Sequence, residues 1–239
     1  ALAGRLRESA AAAGDDLLAV ETEYLLGIGA FWAGAFETAQ QHFETVGERF
    51  DPNRRVDHVL RFGHDPGVVC LGRLANTLWF LGRADDARRV REEAVAVANE
   101  RGHPFSRGVV NVFAAVLAVD LEEPEAYRRY AVALARDAPH QALQIATGAF
   151  LGYAEVLDGR AREGITRIRE AIDSRPVDHA PGQRATHYRL LVAAHAVSGD
   201  AGGGIRAVDE ALAAPGARIW DGGYRRLRAG FLASSATER

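Results

Sequence analysis

Cysteine is nearly absent from this chain: Cys70 is the only one in 239 residues. A single thiol can form neither an intrachain disulfide framework nor a thiolate metal cluster, so the sequence predicts no disulfide and no metal site. A chain without disulfides fits the reducing cytoplasm best. Because Cys70 lies in the apolar run VVCL, we interpret it as a buried, inert thiol.

Long apolar runs are also missing. The longest apolar stretch near the middle, Val109 to Leu121, is interrupted by Asn111 and Asp120, and it is shorter than the roughly 20 residues that a membrane-spanning helix needs. The alanine-rich N-terminus carries three charged residues among its first eight, unlike the apolar middle of a signal peptide. We therefore expect no membrane contact. Since the chain starts within a helical pattern, we also expect it to be part of a longer protein.

An excess of one charge is lacking as well. The formal net charge is −3 and the pI about 6.3, which gives no general attraction to nucleic acid or to anionic membranes. We expect no nucleic-acid partner for this chain. Hydrophobic residues make up 48% and charged residues 26%, as in ordinary soluble proteins, and no alternating strand pattern of useful length occurs.

What the sequence does contain is an internal repeat. Four segments align without gaps from Leu26, Leu74, Leu151 and Leu191: LGIGAFWAGAFETA, LANTLWFLGRADDA, LGYAEVLDGRAREG and LVAAHAVSGDAGGG. Each has a glycine eight residues after its first residue and ends on a small residue. A fifth copy, FAAVLAVDLEEPEA, keeps small residues at Ala114 and Ala126 but has Leu121 where the glycine is expected.

This pattern predicts pairs of antiparallel helices. The glycine ends the first helix with a positive φ, and the small residues let two helices approach closely. The repeat spacings of 48, 39, 38 and 40 residues exceed the roughly 34 of a tetratricopeptide unit. We predict an all-α fold of about 11–12 helices, arranged as one tetratricopeptide-like α-solenoid over 1–239. Its units are predicted at 16–50, 66–101, 105–137, 140–174 and 181–213, with a partial unit at 218–234 and an inserted connection at 51–65.

The stretch from Phe50 to Ser106, FDPNRRVDHVLRFGHDPGVVCLGRLANTLWFLGRADDARRVREEAVAVANERGHPFS, carries a family resemblance. It resembles the tetratricopeptide (maltose-regulator-like) region of bacterial signalling ATPases, especially those fused to adenylate/guanylate cyclase domains. AEVLDGRAREGITRIREAI and YRRLRAGFLA resemble that family's closing repeats. The resemblance implies a right-handed superhelix that regulates ATPase and output domains lying upstream. No GxxxxGK[ST] motif or cyclase-like segment occurs in this chain.

No catalytic constellation can be assembled from the sequence. His187 and His195 lie eight residues apart without a carboxylate at a zinc-ligand spacing, and no HExxH motif occurs. The glycine-rich segment 199–205 follows a predicted helix, whereas a dinucleotide-binding loop follows a strand. We therefore predict that the chain is not an enzyme and needs no cofactor.

Candidate binding residues follow from the repeat, because the first helix of each pair lines the concave face of such arrays. The predicted groove residues are Tyr24, Asn76, Trp79, Asn111, Tyr153 and Arg189. Asparagine supplies a donor and an acceptor for a peptide backbone, and aromatic rings supply rigid contact area; packing between helices is the alternative for each. Three arginines of the inserted connection are predicted either to contact an anionic partner or to be solvated: Arg54, Arg55 and Arg61.

These features lead us to expect a non-catalytic scaffold that binds a protein, peptide or small effector in its groove. It would be the regulatory module of a larger signalling protein. A stand-alone effector-sensing regulator and an accessory domain of an enzyme remain open alternatives. Self-association is also open, because Leu227, Phe231 and Leu232 on the last predicted helix need cover.

Overall fold

The protein is all-helical in the part of the chain that the structure describes. A computed structural model describes residues 2–136, 141–174, 181–215 and 217–237, and within these ranges it contains thirteen α-helices and one turn of 3-10 helix. The elements are α1 Leu2–Ala13, α2 Asp16–Trp32, α3 Phe36–Arg49, the 3-10 turn Pro52–Arg54, α4 Arg55–Phe62, α5 Pro66–Phe80, α6 Ala84–Arg101, α7 Pro104–Asp120, α8 Pro124–Arg136, α9 Gln141–Leu157, α10 Ala161–Asp173, α11 Pro181–Ser198, α12 Ala201–Ala213 and α13 Asp221–Thr237.

Helix α4 and the 3-10 turn before it are elements that the sequence pattern did not predict. Both lie in the inserted connection predicted over 51–65, where Arg55–Phe62 make two turns of helix that end at Gly63 with φ 80°. His58 is the buried residue of this helix, and Leu60 is 81% exposed. A helix this short shows too few periodic positions to be recognised from sequence.

The predicted turn glycines are confirmed. All four have a positive φ between 71° and 84°, at Gly34, Gly82, Gly159 and Gly199. At each turn the glycine N–H donates to the carbonyl three residues back, and the next N–H donates to the carbonyl five residues back. These two bonds satisfy carbonyl groups that the helix end leaves open, so the second helix starts within two or three residues.

In the third unit the turn lies one residue later than predicted. Glu122, and not Leu121, has the positive φ of 58°, and the same two backbone bonds are made by Glu122 and the residue that follows it. Counted from this turn, Ala115 and Tyr127 are the sequence positions that correspond to Gly152 and Gly164 of α9 and α10. The prediction of Ala114 and Ala126 was wrong because without a glycine nothing in the sequence marks the register.

Small residues bring α9 and α10 together. A Cβ added to Gly152 would lie 2.7 Å from the carbonyl oxygen of Gly164, and one added to Gly164 would collide with the carbonyl oxygen of Gly152. The two backbones are thus in direct contact, as the repeat predicted. In the third unit Tyr127 takes the corresponding position and is fully buried; its hydroxyl donates to the carbonyl oxygen of Phe150 at 2.9 Å.

Helix α12 covers one of the three apolar residues predicted on the last helix. Phe231 is buried, and a Cβ on Gly204 of α12 would lie 2.5 Å from its ring. Leu227 is half-buried, and Leu232 is 47% exposed. The expectation that Phe231 needs cover was therefore wrong, because glycine on α12 leaves room for the ring.

The chain divides into two compact parts, Ala1–Leu117 and Ala118–Arg239. From here on, the first unit and the second unit mean these two parts, and a copy of the repeat is called a helix pair. In the first unit, Val68, Ala94, Ala98 and Val110 form a buried cluster between α5, α6 and α7. In the second, Ile168, Leu190 and Leu191 are fully buried. One continuous array over the whole chain stays a prediction.

The contact between α9 and α10 gives a direct test of the repeat. We expect Gly152→Ala to lower the free energy of unfolding by about 1–3 kcal/mol, because the added methyl group forces two backbones apart. Gly148, one turn earlier on α9, is the matched control, since a Cβ there meets only Ala171 at 3.9 Å. Gly148→Ala should raise stability by about 0.5–1 kcal/mol through helix propensity. Urea unfolding measures both, and equal effects of the two substitutions would contradict the packing described.

Candidate functional site

The second unit contains a cavity of about 340 Å³ between its helices. It opens where α7 ends and α8 begins, and α9, α11 and α13 complete its wall. The lining residues are Ala118, Val119, Glu122, Glu123, Pro124, Tyr127, Tyr153, Leu157, Arg189, Ala193, Ala196, Val197 and Leu227. The volume lies in the range typical of small-molecule sites, which are mostly apolar with a few convergent polar groups.

A buried carboxylate holds Arg189, the one arginine among the described residues of this wall. Asp120, the last residue of α7, has a side chain only 2% exposed. Its Oδ1 accepts a hydrogen bond from Arg189 Nε at 2.8 Å, and its Oδ2 accepts one from Trp220 Nε1 at 3.3 Å. Burial raises the pKa of the Asp120 carboxyl, and the charge and hydrogen bond of Arg189 oppose that rise. The pair therefore fixes the guanidinium of Arg189 at the cavity wall.

The two terminal nitrogens of Arg189 remain open for a ligand. Asp120 takes only the Nε hydrogen, and Nη1 and Nη2 make no hydrogen bond to the described residues, yet they are not sealed from solvent. Parallel N–H groups of this kind match the two oxygens of a carboxylate. Arg189 thus presents a fixed, positively charged fork to the cavity.

Two tyrosines form an aromatic part of the wall. The rings of Tyr127 and Tyr153 meet edge to face, with centroids 4.8 Å apart. Burial raises the pKa of both phenols, so both are neutral at pH 7. They add apolar area and no charge.

The rim of the cavity carries Glu122, an acidic residue whose charge is opposite in sign to that of Arg189. Glu122 is exposed and its carboxylate acts on the titration of Tyr153, as does the charge of Arg189. Its positive φ is the only one among the described non-glycine residues, and glycine takes that position in the four other helix pairs. Strained backbone at a site is a pointer to function, so the glutamate at this turn suggests a role for its side chain.

The structure brings together two of the six predicted groove residues. Tyr153 and Arg189 line the cavity. In the first unit, Tyr24 is half-buried with its ring centroid 5.0 Å from that of His64. Trp79 is half-buried and meets Phe80 edge to face.

The two asparagines do not present their amides to a groove. Asn76 is 2% exposed, and its Nδ2 donates to the carbonyl oxygen of Phe113 at 3.0 Å. Asn111 is 3% exposed, and its Nδ2 donates to the carbonyl oxygen of Arg107 at 3.0 Å. The expectation of ligand-gripping amides is corrected here, because both side chains satisfy backbone groups inside the unit.

The three arginines of the inserted connection are bonded within the chain. Arg54 pairs with Asp57 at 3.0 Å, and Arg55 donates to the carbonyl oxygen of Arg101 at 3.2 Å. Arg61 donates two hydrogen bonds to Asp15, at 2.9 and 2.7 Å. Arg55 and Arg61 thus connect α4 to the end of α6 and the start of α2, while the Arg54 pair stays within the connection, so an anionic partner is not needed to explain the arginines.

Sequence reasoning missed Asp120 and Glu122 as site residues, and it placed the turn between α7 and α8 one residue too early. An acidic residue that ends a helix opposes the helix dipole, and this is the signal that marks Asp120 as paired.

Among the described residues, no group of three or more His, Cys, Asp or Glu side chains is arranged to hold a metal ion. In the same part of the chain no helix has the length and apolarity needed to cross a bilayer.

Comparison with known proteins adds no assignment: no protein-family model matches this chain, and no curated protein matches it.

The conformation of Glu122 has a measurable energetic consequence. We expect Glu122→Gly to raise the free energy of unfolding by about 1 kcal/mol, because glycine adopts a positive φ without the Cβ penalty. Gly82→Ala is the mirrored control: a Cβ there meets no atom within 4 Å, and φ is 78°. It should lose about 1 kcal/mol through conformation alone. Chemical denaturation measures both; an unchanged Glu122→Gly variant would show that the turn is not strained.

A second prediction concerns His58 in the first unit. This side chain is 1% exposed, its Nδ1 has no partner, and burial lowers its pKa, although Glu21 and Asp65 act in the opposite direction. The unfolded state therefore binds the proton more readily, so stability present above about pH 6.5 is lost as pH falls towards the folded-state pKa.

His58→Phe should weaken this pH dependence, because a phenyl ring suits the neighbouring rings of Phe50 and Phe62 and cannot be protonated. Urea midpoints at several pH values between 5 and 7 measure the effect. A variant with the same slope as the parent protein would exclude His58 as a source of it.

Proposed function

We propose that the chain is a non-catalytic sensory module which binds a small apolar zwitterion in the cavity of its second unit. The class we favour is an apolar α-amino acid or a short apolar peptide. The single observation that carries this proposal is the guanidinium of Arg189, which Asp120 holds through Nε while its terminal nitrogens stay open at an otherwise largely apolar wall.

The chemistry of the wall selects such a ligand. The fork of Arg189 binds a carboxylate, and the exposed carboxylate of Glu122 attracts an ammonium group. Leu157, Val197 and Leu227 receive the apolar body. Because the site contains both signs of charge, a zwitterion gains from both groups, whereas a simple anion meets the repulsion of Glu122.

The wall also favours binding over catalysis. Among the described residues that line the cavity there is no serine, threonine, cysteine or histidine, so the usual nucleophiles and the commonest general base lie elsewhere. Glu122 is exposed to water and is not desolvated as a tuned catalytic acid would be.

The helix pairs support a tetratricopeptide-like solenoid of right-handed superhelical form as the larger architecture. In such arrays neighbouring units share contacts, so ligand occupancy can change curvature. Together with the resemblance to regulatory regions of signalling ATPases, this favours a cytoplasmic signal-transduction role in a longer protein. A stand-alone sensor and an accessory domain of an enzyme are the alternative settings for the same binding site.

Three ligands of one size test the proposal. L-phenylalanine carries both charges, 3-phenylpropanoate lacks the amine, and 2-phenylethylamine lacks the carboxylate. We expect isothermal titration calorimetry to show the tightest binding for L-phenylalanine. Arg189→Lys should weaken it about tenfold or more, because lysine keeps the charge beside Asp120 but loses the fork.

The variants separate the two charges of the ligand. Arg189→Lys should leave the weak binding of 2-phenylethylamine unchanged, and Glu122→Gln should leave that of 3-phenylpropanoate unchanged or improved. Arg184→Lys on the same helix is the matched control, because Arg184 does not line the cavity. Equal affinity for all three ligands, or no loss in Arg189→Lys, would contradict the proposal.

A further inference from the structure

The first unit contains a buried arginine without a counter-ion among the described residues. Arg73 is the only charged residue of α5, whose sequence is PGVVCLGRLANTLWF. The residue is 7% exposed, and no carboxylate of the described residues pairs with it or acts on its pKa. Burial lowers the pKa of Arg73 to about 10, so the side chain remains a cation at neutral pH.

Aromatic rings surround this guanidinium. Its Cζ lies 3.7 Å from the ring centroid of Phe113, 4.5 Å from that of Phe31 and 5.1 Å from that of Trp32. The negative faces of such rings stabilise a cation. These rings offer no conventional hydrogen-bond acceptor, however, and the five N–H groups of an arginine need acceptors.

The hydrogen bonds of Arg73 are incomplete. Nη1 lies 3.4 Å from Oδ1 of Asn76, which is a long contact. Nε is sealed from solvent without a partner. Nη2 makes no hydrogen bond to the described residues, but it is not sealed. A buried charge with unmet donors is costly unless a partner arrives.

The surrounding residues keep the guanidinium in place. Gly72 lets Phe113 approach, since a Cβ there would lie 3.1 Å from that ring. The carbonyl oxygen of Phe113 is bonded to Asn76 Nδ2, and Asn76 in turn orients Nη1. Glycine and asparagine thus position Arg73 without neutralising it.

We propose that Arg73 is the anchor of a second binding site, which takes the carboxylate of a ligand whose adjoining part is aromatic or apolar. Nη2 donates to the carboxylate, and the half-buried ring of Trp32 contacts the adjoining group. All its residues belong to the first unit, and none of them lines the cavity around Arg189.

A carboxylate fits better than a phosphate. One cation with one open terminal nitrogen matches a monoanion, whereas a phosphate carries up to two negative charges and three acceptor oxygens. Tyr24 lies near enough for its titration to depend on the charge of Arg73. Burial raises the pKa of Tyr24, so it stays a neutral phenol and adds no repulsion.

The test uses the three tryptophan indole signals in ¹H–¹⁵N NMR spectra of the full chain. Trp32 reports on Arg73, and Trp220, bonded to Asp120, reports on the other site. Trp32→Phe assigns the first signal. We expect sodium benzoate to shift the Trp32 signal saturably, with a dissociation constant on the order of 1 mM, and neutral benzamide to leave it unmoved.

Two variants identify the anchor. Arg73→Met should remove the saturable shift while the protein stays folded, because an apolar chain suits the aromatic surroundings. Arg83→Gln is the control: Arg83 is 48% exposed, pairs with Asp86 on the surface, and its loss should change nothing. If Arg73→Met does not fold, Arg73→Lys, which keeps the charge, should weaken benzoate binding at least fivefold.

The source of the carboxylate is resolved by a second probe pair, a hexapeptide ending in phenylalanine with a free C-terminus and its C-terminal amide. A Trp32 shift with benzoate, or with the free peptide alone, supports the proposal and tells a small acid from a chain end. The absence of a shift with both, an equal shift with the uncharged partners, or a shift that persists in Arg73→Met would overturn it.

Discussion

The second unit is organised by a carboxylate that has lost nearly all contact with water. Asp120 stands at the C-terminal end of α7, where the helix dipole disfavours a negative charge, and its side chain is 2% exposed. Such a group is tolerated only with partners, and Arg189 and Trp220 supply them from α11 and from the turn before α13. One desolvated charge therefore sets the relative positions of three segments, and the direction of the Arg189 fork follows from it.

In the second unit, one position of the repeat is occupied by glycine in one helix pair and by tyrosine in another. Where α9 and α10 meet, Gly152 and Gly164 bring two backbones into contact. In the preceding helix pair Tyr127 takes the equivalent position and is buried against Phe150. Tyr127 also lines the cavity, so the residue that differs from the repeat in size is part of the candidate site.

Local features of the fold could be predicted from the sequence, because they depend on neighbouring residues. Glycine at a turn and apolar residues at helical spacing determine where a helix ends and which face is buried, and most of the helices and all four turn glycines are confirmed. The turn at Glu122 escaped prediction, because no glycine marks it and a glutamate seldom adopts a positive φ. Helix α4 escaped because its contacts, such as Arg61 with Asp15, join residues far apart in sequence.

Site chemistry was less predictable than the helices. Tyr153 and Arg189 were found through their place in the repeat, whereas Asn76 and Asn111 share that place but turn inward to backbone carbonyls. Periodicity reports which face of a helix a residue occupies; it does not report whether that face is covered by the next helix. Of the charged residues that matter, Arg73 is marked in sequence only as the single charge of α5, and Asp120 only as the acidic residue at the end of the apolar part of α7.

The burial of Cys70 has a practical consequence for reagents. Burial raises the pKa of this thiol well above its usual range, and the chain has no methionine, so its sulfur chemistry is confined to one inaccessible atom. The folded protein should tolerate mild peroxide. A cysteine introduced at an exposed position would be the single reactive thiol, and a maleimide dye would attach to it selectively without removal of Cys70.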